Sequence, residues 1–210
     1  MNRLSRSLTQ FFLLGGVIAL ATLTLSCGNI DRILGTIQPK DICDCLAIEP
    51  DITDYRHNAK HVPIPNIAAE EITVEMILSW REDLALPPDA PRTGRELRVF
   101  HVAGAFVQNA SVNPKDCDIH IEISQTADKN ARRIVVETPI DSGYCPGRKT
   151  IQAQLLQHGF QLDVQHGGEL LQALRAEILG MAFEDFEHDR GSPQVGTVWE
   201  LHPATVNLLP

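Results

Sequence analysis

Residues 116–124 read DCDIHIEIS and set Asp116, Asp118, His120 and Glu122 at alternate positions. Two later segments also bring histidine beside carboxylates. FEDFEHD carries Glu184, Asp185, Glu187 and His188, and WELHPA carries Glu200 and His202. Neutral imidazole and carboxylate are the usual ligands of zinc and related ions. Three such ligands and a water make a hydrolytic centre, and a histidine–carboxylate pair also serves as a general base with its orienter. The candidate metal or ligand cluster is therefore Asp118, His120, His188, Glu200 and His202. His120, His188 and His202 are its candidate metal ligands, and zinc is the candidate cofactor. Taken singly, each of these residues reads equally well as part of a solvated strand face. The recurrence in three separated segments is what points to a shared site. No catalytic residue is assigned, because no G-x-S-x-G, G-x-x-x-x-G-K-[ST] or G-x-G-x-x-G occurs. His101, His158 and His166 read as surface or loop positions, and Trp80, Phe183 and Trp199 as core.

The elements that must position these residues are mainly strands. Strict alternation over 118–124 puts Ile119, Ile121 and Ile123 on a core face, with Asp118, His120 and Glu122 opposite on a wet face. Residues 95–112 form a long β-rich run, 132–139 a third strand and 197–209 a fifth, interrupted by Pro203. A helical stretch over 149–158 separates the third and fourth strands. Residues 170–189 begin with helical character and become a strand around 176–186. Upstream, Ile72, Met76, Ile77 and Trp80 recur at helical spacing, which predicts an amphipathic helix over 68–83. The three prolines of 86–94 make a linker. The expected domains are a signal at 1–26, a tether and irregular lead-in at 27–66, a helix and proline-rich linker at 67–94, and a β-barrel domain at 95–210.

The first 26 residues have the layout of an export signal. Arg3 and Arg6 precede an uncharged apolar run, residues 11–23, and small residues lead to Cys27. Thirteen apolar residues fall short of the ~20 that span a bilayer. Of five cysteines, Cys43, Cys45, Cys117 and Cys145 remain once Cys27 is set aside, and an even count in an oxidising compartment suggests two disulfides. The favoured pair is Cys117 with Cys145. A thiolate zinc site in DICDC, with Asp41 and Asp44 beside Cys43 and Cys45, is the rival. Beyond residue 26 the chain has 16 basic against 27 acidic residues, with no basic cluster beyond Arg132-Arg133 and Arg148-Lys149. Nucleic acid, which requires clustered Lys and Arg, is therefore not an expected partner.

Three resemblances refine this reading. Leu23, Thr24, Leu25 and Ser26 before Cys27 resemble the lipobox of bacterial lipoproteins, with Thr24 where leucine is usual. This implies a lipidated Cys27, a membrane anchor and a periplasmic or other extracytoplasmic location. Five strands, a helix between the third and fourth, and mid-strand Gly104 and Gly180 resemble the OB-fold, a small Greek-key barrel. The alternatives are an immunoglobulin-like sandwich and a small α+β sheet. The chain is also similar to a family of small exported bacterial proteins with D-x-D-x-H, E-x-P, F-x-D-x-x-H and W-E-x-H-P blocks. Here these are carried by Asp116, Asp118 and His120, with Cys117 where glycine is expected; by Glu137 and Pro139; by Phe183, Asp185 and His188; and by Trp199, Glu200, His202 and Pro203. That resemblance implies no particular activity. The expected protein is mainly β with α: a five-stranded OB-like Greek-key barrel preceded by an N-terminal helix. The expected function is that of a cell-envelope lipoprotein, a binding or accessory module for an unknown ligand or envelope protein. The alternative is a metal-dependent hydrolase, of phosphodiester or nuclease type, built on the His/carboxylate cluster.

Overall fold

A computed structural model describes residues 41–45, 55–82, 86–186 and 192–210. The signal, Cys27 and His188 lie outside the described residues. The elements are α1 (His57–Lys60), β1 (Glu70–Ile72), α2 (Val74–Leu78), β2 (Val99–Val112), β3 (Ile119–Ser124), β4 (Arg133–Thr138), α3 (Cys145–Gln157), β5 (Gly168–Glu184) and β6 (Val195–Leu208). The sheet order is β1-β2-β3-β4-β6-β5, and β5 returns to pair with β2. Strands β2 to β6 thus form a closed five-stranded barrel, with β1 as a short parallel addition to β2. The β4–β6 pair is parallel and the other barrel pairs are antiparallel. This arrangement, with α3 between β4 and β5, is compatible with an OB-like fold. Closure removes the unpaired edges that an open sheet of this length would expose.

The barrel interior is filled by alternate residues. Ile119, Ile121 and Ile123 of β3 meet Ile134 and Val136 of β4, and Ile151 and Leu155 of α3 join the same core. Two glycines sit where strands of 14 and 17 residues break register. Gly104, at φ +69°, lies in the extra residue pair of β2 between Val102 and Ala105. Gly180 lies where β6 gains one residue, with Ala204 so close that an added Cβ would stand 2.7 Å from its methyl carbon. Bulges of this kind bend a strand and re-aim its side chains. The one on β6 falls at His202 and Pro203, so the strand passes through the proline instead of stopping there. The core face switches parity across it, from Trp199 and Leu201 to Ala204, Val206 and Leu208.

Two local expectations are corrected. Residues 68–83 do not form one amphipathic helix: Glu70–Ile72 pair with β2, and only Val74–Leu78 are helical, with Thr73 Oγ1 accepting the Met76 amide at 3.2 Å. The β-branched run Ile72-Thr73-Val74 suits a pleated surface better than a helix start. Residues 170–176 are strand, although leucine, glutamine, alanine and arginine favour helix. Pairing with β2 and β6 on both sides overrides that local preference. The described parts of 27–66 also contact the barrel. Arg56, at 1% exposure, donates to Glu96 through both terminal nitrogens at 2.6 and 2.7 Å. It also reaches the carbonyls of Ala90, Pro91 and Glu184.

Asp41–Cys45 is fastened to the barrel end by two disulfides, Cys43–Cys145 and Cys45–Cys117. Cys117 and Cys145 are both bridged, but not to each other. The short segment runs between the start of α3 and the β2–β3 turn, and its two cysteines, one residue apart, reach one partner each. With all four cysteines oxidised, the thiolate zinc site in DICDC is excluded. Beneath the strap, fully buried Arg148 donates to the carbonyls of Ile42, Cys117 and Thr138. Burial lowers its pKa to about 10, so it stays charged. The bridges close sequence separations of 102 and 72 residues. Reduction is expected to cost about 2–4 kcal/mol per bridge. Urea unfolding with and without dithiothreitol measures this directly. Two disulfides point to an oxidising, extracytoplasmic setting. No helix among the described residues is long and apolar enough to cross a membrane.

Candidate metal centre

The face of β3 opposite the isoleucines is not wet. Asp118 and Glu122 are each 1% exposed, and every residue of β4 is buried. Two covers explain this. Residues 55–65 lie over one end, where Tyr144 donates its hydroxyl to the Val62 carbonyl and accepts the Ile64 amide. Ser192 closes the other end, giving its amide to Glu122 at 3.2 Å.

Between the covers, three adjacent strands present polar residues at one level. His120 on β3 is the register partner of Glu137 on β4. Next to β4 runs β6, where Val135 pairs with Glu200 and the bulge turns His202 into the same layer. Asp118 stands at the entrance to β3, and His61 comes down from the N-terminal cover. His202 is the centre, at 1% exposure. Its Nδ1 lies 2.9 Å from Glu137 Oε2 and 3.3 Å from Glu200 Oε1, and its Nε2 lies 3.3 Å from Asp118 Oδ2. His61 Nε2 is 3.9 Å from the same Asp118 oxygen. None of these nitrogens is aligned for a hydrogen bond.

The atoms facing outward are aligned. His61 Nδ1 bonds Asp141 at 2.7 Å, which leaves Nε2 directed inward. Asp118 Oδ1 accepts the Ile140 amide at 2.8 Å, leaving Oδ2 toward His202 and His61. Glu137 Oε1 takes the His120 ring at 2.9 Å, leaving Oε2 toward His202. His61, Asp118 and Glu137 thus each have one heteroatom tied down from outside and one turned to the centre. This is how outer groups orient metal ligands and fix the tautomer of a ligating histidine. Two of the spacings, 3.3 Å from His202 Nε2 to Asp118 and 3.3 Å from Nδ1 to Glu200, are also those of coordination. Two donors about 2.0–2.2 Å from a tetrahedral ion stand roughly 3.3–3.5 Å apart. Two donor sets meet the proximity condition: His61, Asp118 and His202, and Glu137, Glu200 and His202.

Of the residues expected from sequence, Asp118, Glu200 and His202 come together here. His120 is joined to them through Glu137 and acts on the carboxylate instead of entering a donor set. Sequence reasoning missed His61 and Glu137 as members. Glu137 had a signal, since it lies on the outward face of its strand. His61 had one too: it follows His57 by four residues, and the two rings stack at 4.2 Å. Phe183 and Trp199 are buried, at 0% and 4% exposure, as core residues are.

Charge is balanced by pairing. Burial opposes a charged His120, but Glu122 and Glu137 outweigh it and hold the imidazole up to about 10. Burial likewise opposes charge on His202, and its contacts with Asp118, Glu137 and Glu200 raise it well above its ordinary value. Glu122, despite burial, is drawn down to about 2 by His120, Ser192 and Arg133. A carboxylate lowered on folding stabilises the protein fully above its ordinary value, 4.5, and loses that contribution as pH falls toward about 2. A raised imidazole stabilises fully below its ordinary value, 6.5, and loses the contribution as pH passes about 10. In chelator-treated protein, the urea midpoint is therefore expected to fall at both ends, between pH 4.5 and 2 and again between pH 6.5 and 10. A flat profile across either window contradicts the pairing.

In comparisons with protein-family models, with curated proteins and with solved structures, no match to this chain was found.

Proposed function

We propose that this chain is a metal-binding accessory module of an extracytoplasmic compartment, an OB-like Greek-key barrel tethered to a membrane through a lipidated Cys27. In this reading the His/carboxylate cluster holds a divalent cation of the zinc class. One observation carries it. His202, almost fully buried, has carboxylate oxygens at 2.9–3.3 Å from both ring nitrogens and no aligned hydrogen bond at either. A buried polar group without such bonds is costly, and a metal ion bound at a ring nitrogen removes that cost there. The two disulfides, the export-like N-terminus and the resemblance to small exported proteins support the compartment. The acidic balance disfavours nucleic acid as a partner.

Burial favours holding over turnover. A hydrolytic zinc keeps an open position for water and substrate, whereas Asp118, Glu200 and His202 are each 1% exposed. The test is metal analysis of the full chain purified without a histidine tag, after dialysis against zinc and removal of free ion. The reading predicts at least stoichiometric zinc, and a loss of at least tenfold in affinity in Glu137→Gln. A protein that retains no zinc, cobalt or copper contradicts it.

A further inference from the structure

The donors around His202 are not gathered on one side of the ring. Asp118 Oδ2 and His61 Nε2 lie at the Nε2 edge, while Glu137 Oε2 and Glu200 Oε1 lie at the Nδ1 edge. The lone pairs of the two ring nitrogens diverge in the ring plane, so one ion cannot use both. We propose that His202 bridges two divalent cations as an imidazolate, one held by His61 and Asp118 and the other by Glu137 and Glu200. This rests on the reading of the cluster as a metal centre and specifies its occupant: a pair of ions of the zinc or copper(II) class, which favour mixed imidazole and carboxylate donors.

The charges close. Asp118, Glu137, Glu200 and the imidazolate supply four negative charges, and two divalent ions supply four positive ones. Each ion has three protein donors, counting the shared ring. Loading forms the ion–nitrogen bonds at Nδ1 and Nε2 and breaks both N–H bonds of the protonated ring. The two protons pass to solvent and no electron moves. A single ion removes only one of these protons and leaves the other ring nitrogen, with its two facing donors, without an ion. Supporting bonds reach both pairs: Asp141 and the Ile140 amide orient the first pair of donors, and His120 orients Glu137 in the second.

The experiment uses the tag-free full chain, stripped with chelator, loaded with copper(II), passed through gel filtration and assayed for metal per chain. Electron paramagnetic resonance is recorded on the same samples. Two ions per chain are expected, with most of the copper(II) signal lost because the imidazolate couples the two spins. Asp118→Asn and Glu200→Gln should each reduce the count to one and restore an ordinary uncoupled signal. One ion per chain in the parent protein overturns the bridge and leaves the metal reading standing. Two ions with a full uncoupled signal also overturn the bridge. No bound ion overturns the metal reading itself.

Discussion

Replacing His202 by alanine is expected to abolish tight divalent metal binding, lowering zinc affinity by well over 100-fold. His202 is the one residue common to both donor sets. Loss of an outer positioning group costs about 10–100-fold, and loss of a shared ligand costs more. The consequence is readable in stability. An ion at a thousand times its dissociation constant stabilises the folded chain by about 4 kcal/mol, or roughly 10 °C for a protein of this size. The parent should gain that on zinc addition and the variant should not. The metal-free variant carries a second signature. Without the imidazolium, Asp118, Glu137 and Glu200 face one another with one cation fewer among them, so its deficit against the parent should shrink as pH is lowered from 7 to 4. A variant with the zinc response of the parent would remove His202 from the account.

Arg56→Met is expected to produce the largest loss of fold stability of any single substitution away from the cluster. Arg56 stacks its guanidinium 4.7 Å above Phe183 and pairs with buried Glu96 through two parallel bonds. Glu96 in turn accepts the amides of Thr93 and Glu184. Burial opposes ionisation of Glu96, yet Arg56 and these two amides keep it below its ordinary range. Removing the arginine leaves a buried carboxylate without its cation, a change that costs about 3–5 kcal/mol. The loss should be smaller in the double variant Arg56→Met, Glu96→Gln, because no uncompensated charge then remains. It should also loosen the cover that carries His61. Thermal unfolding of the two variants beside the parent reads this directly. Equal losses in both would contradict the pairing account.

Much of the barrel is legible in the sequence because its strands alternate cleanly. Ile119, Ile121 and Ile123 can face only a core, and their partners Asp118, His120 and Glu122 must then share the other side. What alternation does not say is that this other side is covered. The cover comes from residues 55–65 and Ser192, which reach the barrel through single contacts with no periodic signal. The cluster was half legible for the same reason. Glu200 and His202 alternate with Trp199 and Leu201, so their face follows from the strand. Their approach to Asp118 depends on the parallel β4–β6 pairing and on the bulge at Pro203. His61 follows His57 by four residues, but its segment has no strand alternation, and only tertiary docking brings it to the cluster. The cysteines show the limit of counting: four in an oxidising compartment imply two bridges, but the seating of Asp41–Cys45 between α3 and the β2–β3 turn decides which.

The central claim is that the residues around His202 hold metal. Anomalous diffraction at the zinc absorption edge, from crystals of the tag-free chain grown with zinc, tests it most directly. The account predicts a peak within about 2.0–2.2 Å of a His202 ring nitrogen, next to Asp118 and His61 or to Glu137 and Glu200. A map with zinc only at surface histidines such as His101 and His166, and none beside His202, would contradict it.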